Sequence, residues 1–107
     1  MPALRYSLAG LRTAWHGEAA FRLELILTPP IAAAALCFGS SGLERALLLG
    51  SWLLVPLTEL INSAIEATID RIGSESHPLS GQAKDLGSAA VFVALLIAAT
   101  CWLLILV

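Results

Sequence analysis

Glu59 carries a charge inside an otherwise apolar stretch, Leu53 to Ile65. A carboxylate in such a place costs several kcal/mol if lipid surrounds it, so it faces a bundle interior or a polar cavity and marks function. Its companions share its side of a helix. Glu59, Asn62, Ser63, Glu66 and Asp70 stand at i, i+3, i+4, i+7 and i+11, which is one stripe of a continuous helix. Glu59 and Glu66 lie almost in register, roughly 10.5 Å apart along the axis, too far for both to grip one metal ion directly. The spacing suits a division of labour, with Glu59 deeper in the membrane and Glu66 nearer aqueous phosphates. For Glu59 the plain alternative is a hydrogen bond between helices without chemistry. For Asp70 and Glu66 it is a solvated face.

Beyond the stripe, the segment Arg71 to Asp85 is rich in Gly, Ser and Pro and predicts a turn leading into another helix. Within it, Glu75, His77, Lys84 and Asp85 suit a nucleotide and its metal: carboxylates for Mg²⁺, an ammonium for phosphate. A solvated connection has the same composition. The sequence contains no G-x-x-x-x-G-K-S/T phosphate loop, no protein-kinase motif set and no nucleophile elbow. His16 and His77 are the two histidines, without zinc-binding spacing. Any enzyme built here therefore uses carboxylates, a hard metal ion and a lipid-facing site.

Three apolar runs must position these groups. Residues 25–43 and 86–107 carry no charge, and 46–65 carries Glu59 alone. Each is close to the ~20 apolar residues that cross a hydrocarbon core, which predicts three transmembrane helices. Arg5, Arg12 and Arg22 precede the first, and Arg71 and Lys84 lie between the second and third, whereas Arg45 alone flanks the turn Gly39-Ser40-Ser41-Gly42. By the positive-inside rule the amino terminus and second connection are cytoplasmic, and the short turn and carboxyl end are periplasmic. Pro29, Pro30 and Pro56 fall within spans, where neighbours can satisfy the freed carbonyls. Before the spans, Leu4, Leu8, Leu11 and Trp15 recur with the period of an amphipathic helix. This predicts an interfacial helix over about residues 1–23, the alternative being a helix packed only on protein. Ala90, Ala94 and Ala98, with Gly87 and Ser88 at the start, give the third span a small-residue face for close packing.

Composition agrees. Of 107 residues, 58% are hydrophobic, and the mean hydropathy is +0.84, above the apolar content usual for soluble domains. A net charge of −2 creates no field that would recruit nucleic acid. Cys37 and Cys101 sit in apolar runs and read as small buried side chains rather than a disulfide or metal pair.

The stretches Glu18 to Glu24, Glu59 to Ala67, Asp70 to Glu75 and Ala83 to Val91 together resemble the prokaryotic diacylglycerol kinases, with similarity running from about Tyr6 to the carboxyl end. The resemblance implies an all-α homotrimer in the bacterial inner membrane, each subunit a single domain with a surface helix and three spans. It implies sites shared between subunits at the cytoplasmic face, using ATP with Mg²⁺ to phosphorylate diacylglycerol. By position in these motifs, Glu59 would be the general base toward the lipid hydroxyl, and Glu18 and Glu66 would hold the metal. Tyr6, Glu18, Glu66, Glu75, Ser76, His77, Lys84 and Asp85 would contact the nucleotide. Thr13, Ala14, Trp15, Ala20, Phe21, Arg22, Leu23, Glu24, Glu59 and Ser88 would border the lipid, with Arg45 a lipid contact on the far face. Asn62 and Asp70 support the site.

Two other functions stand beside this one. An undecaprenol kinase of the same superfamily would share Glu59 and Glu66 but present a polyprenol pocket. A proton- or cation-conducting subunit would use the two carboxylates as relay sites. It would need polar groups through the whole membrane depth, and nothing ionisable lies between Ala46 and Thr58.

Overall fold

The computed structural model describes residues 2–73 and 77–107, and it is all-helical over them. Four helices follow in order: α1 Pro2–Gly17, α2 Ala19–Phe38, α3 Gly42–Ile72 and α4 Pro78–Leu106. The last three are long and apolar enough to cross a membrane. At 1.5 Å per residue, the 31 residues of α3 extend about 46 Å, well beyond a ~30 Å hydrocarbon core. One end of α3 must therefore stand in the headgroup region or in water, and the charged end, Glu66 to Arg71, is the one suited to it.

Helix α3 is the middle of the bundle, with α4 packed along it on one side and α2 on the other, while α1 touches α2. The centre of the core is Val55 against Ala94 and Ala98, flanked by Trp52 and Leu54. On α4 the buried row is Gly87, Ala94 and Ala98, whereas Ala90 is exposed. The packed face is thus offset from the alanine series, because the i, i+7, i+11 row that includes Gly87 permits closer approach.

Side-chain hydrogen bonds pin this packing. The Trp102 indole N–H donates to the Leu48 carbonyl at 2.9 Å, and that of Trp52 donates to the Thr28 hydroxyl at 2.9 Å. The turn joining α2 to α3 is closed by reciprocal caps: Ser41 Oγ accepts from the Glu44 N–H at 3.2 Å, and Glu44 Oε1 accepts from the Ser40 N–H at 2.8 Å. The S-x-x-E signature for that cap stands in the sequence as Ser41-Gly42-Leu43-Glu44. Gly39 is buried there, and a Cβ on it would lie 2.6 Å from Arg45 Cγ and 2.9 Å from the Ala35 carbonyl. No larger residue fits the turn as built.

In α1 only Ala14 is buried, and Leu4 and Leu8 remain 56% and 54% exposed. Its apolar face is not covered by the chain's own helices, as a helix lying in a membrane interface requires. The helix ends at Gly17 rather than near residue 23. Glu18 takes an extended conformation (φ −122°, ψ 106°) and α2 begins at Ala19, so residues 19–24 form the first turns of the span.

Candidate active site

The carboxylates converge because three helix segments meet at one level. Asn62 of α3 packs on Gly87 of α4, where an added Cβ would collide with the Asn62 amide oxygen. Lys84 Nζ reaches Asp70 Oδ1 at 3.3 Å. Antiparallel α2 pairs Thr28 with Trp52, which carries Glu24 and Glu18 toward the level of Glu59 and Asn62. Glu18 and Glu66 lie within electrostatic reach of Glu59, as Glu59 does of Glu24. Four acidic side chains thus share one end of the bundle.

What neutralises them is the chemical question. The one ion pair among the described residues is Lys84–Asp70, so none of the four carboxylates is bonded to a cationic side chain there. The free N–H groups that open α2 lie beside Glu18 and favour negative charge. Asn62 Nδ2 donates to Glu66 Oε1 at 3.0 Å and so aims that carboxylate. Its own Oδ1 is buried without a partner among the described residues, as is Glu24 Oε1. Buried acceptors left open in this way are expected where a ligand supplies the missing donor or cation.

A cavity of about 640 Å³ opens beside this cluster, between α1 and the charged half of α3. Its walls are mostly small or apolar: Gly10, Thr13, Ala14 and Gly17 on one side and Leu60, Ser63, Ala64 and Ala67 on the other, with Glu18 at the joint. Such a space accepts an apolar molecule with a polar end.

A divalent cation suits these donors. Among the described residues, no three acidic, histidine or cysteine side chains are arranged to hold a metal by themselves. Mg²⁺ does not need such a cage, since it keeps several waters and binds through one or two carboxylates together with phosphate oxygens. Glu18, in the break between α1 and α2, and Glu66 on α3 are hard oxygen donors from separate parts of the chain and fit that pattern.

The other residues singled out from sequence divide. Thr13 and Ala14 line the cavity. Glu59, Glu66 and Glu24 are half-buried at the cluster, and Asn62 is buried beside it. Lys84, Asp85 and Ser88 are exposed on the first turns of α4 and Asp70 opposite them on α3. Trp15, Ala20 and Leu23 are exposed around the α1–α2 junction, and Phe21 is fully buried there. Tyr6 is 74% exposed toward the start of α1. His77 serves as the N-cap of α4, its Nδ1 accepting from the Leu79 N–H at 3.0 Å. Arg45 sits at the opposite end of α3, about 21 Å from Glu59 along the axis, and is not brought to the cluster. Glu75 and Ser76 lie outside the described residues. Two pairings had no sequence-level sign: Gly87 belongs to the small-residue series, but that it makes room for Asn62 was not legible, nor that the Arg22 guanidinium binds the end of α1. The partners are distant or on another helix, so no local pattern announces them.

The sequence matches the family model described as prokaryotic diacylglycerol kinase over residues 5–106. Among curated proteins, it is 48% identical over 104 residues to the diacylglycerol kinase of Escherichia coli, a match covering 97% of this chain and 85% of that protein. It is 50% identical over 104 residues to the diacylglycerol kinase of Pseudomonas aeruginosa, with the same coverage of 97% and 85%. The diacylglycerol kinase of Haemophilus influenzae is 47% identical over 98 residues, or 92% of this chain and 83% of that protein.

Proposed function

The chain belongs to the prokaryotic diacylglycerol kinase family, and from that premise we propose how its residues divide the work of phosphorylating diacylglycerol. The activity is that of a membrane lipid kinase: the γ-phosphoryl group of ATP passes to the diacylglycerol hydroxyl, giving phosphatidic acid and ADP. The observation that carries the residue assignment is the convergence of Glu18, Glu24, Glu59 and Glu66 beside the α1–α3 cavity without a paired cationic side chain among the described residues.

Phosphoryl transfer needs positioning, charge neutralisation and a base for the attacking hydroxyl. In this proposal the acyl chains lie along the small-residue walls of α1 and α3, with the hydroxyl toward Glu59. Glu59 takes the hydroxyl proton as the oxygen bonds to the γ-phosphorus and the bond to the β-phosphate oxygen breaks. Glu18 and Glu66 hold Mg²⁺, with Glu66 aimed by Asn62; the bound ion offsets the charge of the phosphates. Lys84 meets the phosphates. Its bond to Asp70 is solvent-exposed on both sides, so exchange for a phosphate loses little. Tyr6, Glu75, Ser76, His77 and Asp85 border the nucleotide, and Trp15, Ala20, Phe21, Leu23, Glu24 and Ser88 border the lipid.

The distribution of Arg and Lys supports a cytoplasmic amino terminus and a periplasmic carboxyl terminus in the bacterial inner membrane. A homotrimer with sites shared between subunits is part of this proposal, in keeping with the family resemblance. Purified protein given radiolabelled ATP, Mg²⁺ and separate diacylglycerol and undecaprenol substrates tests the function. Labelled phosphatidic acid is expected; label in the polyprenol alone would make the chain an undecaprenol kinase. Mixing Glu59→Gln with Lys84→Ala subunits tests sharing, since recovered activity requires the two residues to act across an interface.

A further inference from the structure

One side chain closes the elbow between the surface helix and the first span. Arg22, in the first turn of α2, donates from Nη1 to the carbonyl oxygens of Trp15 at 2.8 Å and His16 at 3.2 Å. These are last-turn carbonyls of α1, which find no donor within their own helix. The carbonyl before them, Ala14, accepts from the Glu18 N–H at 2.9 Å. A guanidinium at this end also meets the negative pole of the α1 dipole. Because one guanidinium nitrogen engages two successive carbonyls, it fixes its position relative to both.

Glu18 occupies the break between the helices. Although it stands at the N-cap of α2, its side chain makes no capping hydrogen bond. The residue lines the α1–α3 cavity instead, so the backbone angle of the elbow sets where its side chain starts from. We propose that Arg22 is a positioning residue: by bonding the Trp15 and His16 carbonyls it holds α1 over α3 and keeps Glu18 opposite Glu66 and Glu59. This rests on the proposed role of Glu18 as a metal ligand. It gives Arg22 a task inside the protein, distinct from the lipid contact implied by its place in the family motif.

The elbow can be measured without metal or substrate. Spin labels at Leu8→Cys on α1 and Thr68→Cys on α3, in a Cys37→Ala, Cys101→Ala background diluted with unlabelled subunits, report their separation by pulsed electron resonance. Arg22→Ala should broaden and shift that distance and raise the half-saturating Mg²⁺ concentration about tenfold, as loss of an outer-shell partner does. Arg22→Lys, which keeps the positive charge on a shorter, non-planar head group, should fall between it and the native protein. An unchanged distance in folded Arg22→Ala overturns the elbow role. So does a shifted distance with an unchanged Mg²⁺ titration, provided Glu18→Gln does move the titration. If Glu18→Gln leaves the titration unmoved, the metal role of Glu18 fails, and with it the link from elbow to metal. Should Arg22→Ala not fold, Arg22→Gln decides on the same criteria.

Discussion

In the half of the bundle next to the Ser40–Ser41 turn, polar atoms are used on one another. Trp102 bonds the Leu48 carbonyl, which also accepts from Ser51 Oγ at 3.1 Å. Trp52 bonds Thr28, which in turn donates to the Glu24 carbonyl at 2.7 Å, and Ser41 and Glu44 cap the helix start. In the other half, Glu24 Oε1 and Asn62 Oδ1 are buried without partners among the described residues, and Glu18, Glu24 and Glu66 lie within electrostatic reach of Glu59, with Glu18 at the cavity. The first arrangement is what folding in lipid requires, since an unmatched polar group there is costly. The second is worse for folding and useful for chemistry, because unpaired acceptors are available to a cation, which can in turn hold phosphates, and to a donating hydroxyl. Stability and reactivity are thus separated along the same three helices.

The largest test of that separation is Glu59→Gln. The amide preserves size and most hydrogen bonding but cannot serve as a base. Turnover should fall by about 10²–10⁴-fold, while the thermal midpoint in detergent stays level or rises, since a half-buried charge is removed. A variant that keeps about a tenth of native turnover lies outside the general-base range. A variant inactive only because it unfolds makes Glu59 a structural residue.

Glu18→Gln and Glu66→Gln come next. Each removes one charged donor from the metal, so the half-saturating Mg²⁺ concentration should rise by about 10–100-fold with folding retained. Metal titrations identical to native for both variants would remove them from the metal site.

Gly87→Ala joins the two regions in one measurement. Its Cβ would run into the Asn62 amide, pushing α4 away from α3 at the level of Glu66. A destabilisation of about 1–3 kcal/mol is expected from the overpacking, together with reduced turnover per folded molecule because Asn62 no longer aims Glu66. Normal turnover in the folded fraction would show that Asn62 has no part in orienting that carboxylate.

The smallest effect belongs to the far half. Trp102→Phe keeps the ring but deletes the donor to the Leu48 carbonyl. Unfolding in mixed micelles should become easier by about 0.6 kcal/mol, the usual worth of such bonds in membranes, with turnover per folded molecule unchanged. A loss of turnover without a loss of stability would show that the two halves are not separate after all.

By itself the amino-acid sequence determined the three membrane-capable helices, because hydropathy over some twenty residues and the 3.6-residue period are properties of contiguous chain. The stripe Glu59, Asn62, Ser63, Glu66 and Asp70 was legible for the same reason, and α3 runs unbroken through all five. So was the amphipathic series Leu4, Leu8, Leu11 and Trp15, which α1 carries. The end of α1 was not, because charged Arg22 and Glu24 look like surface residues until Arg22 is seen bonding back across the break. The tertiary structure alone decided that Gly87, not Ala90, faces α3, that Asn62 fills the space it leaves, and that His77 caps α4. Lipid is as apolar as the helix faces that might turn toward it, so hydrophobicity does not choose which faces meet; close packing and the few available hydrogen bonds do.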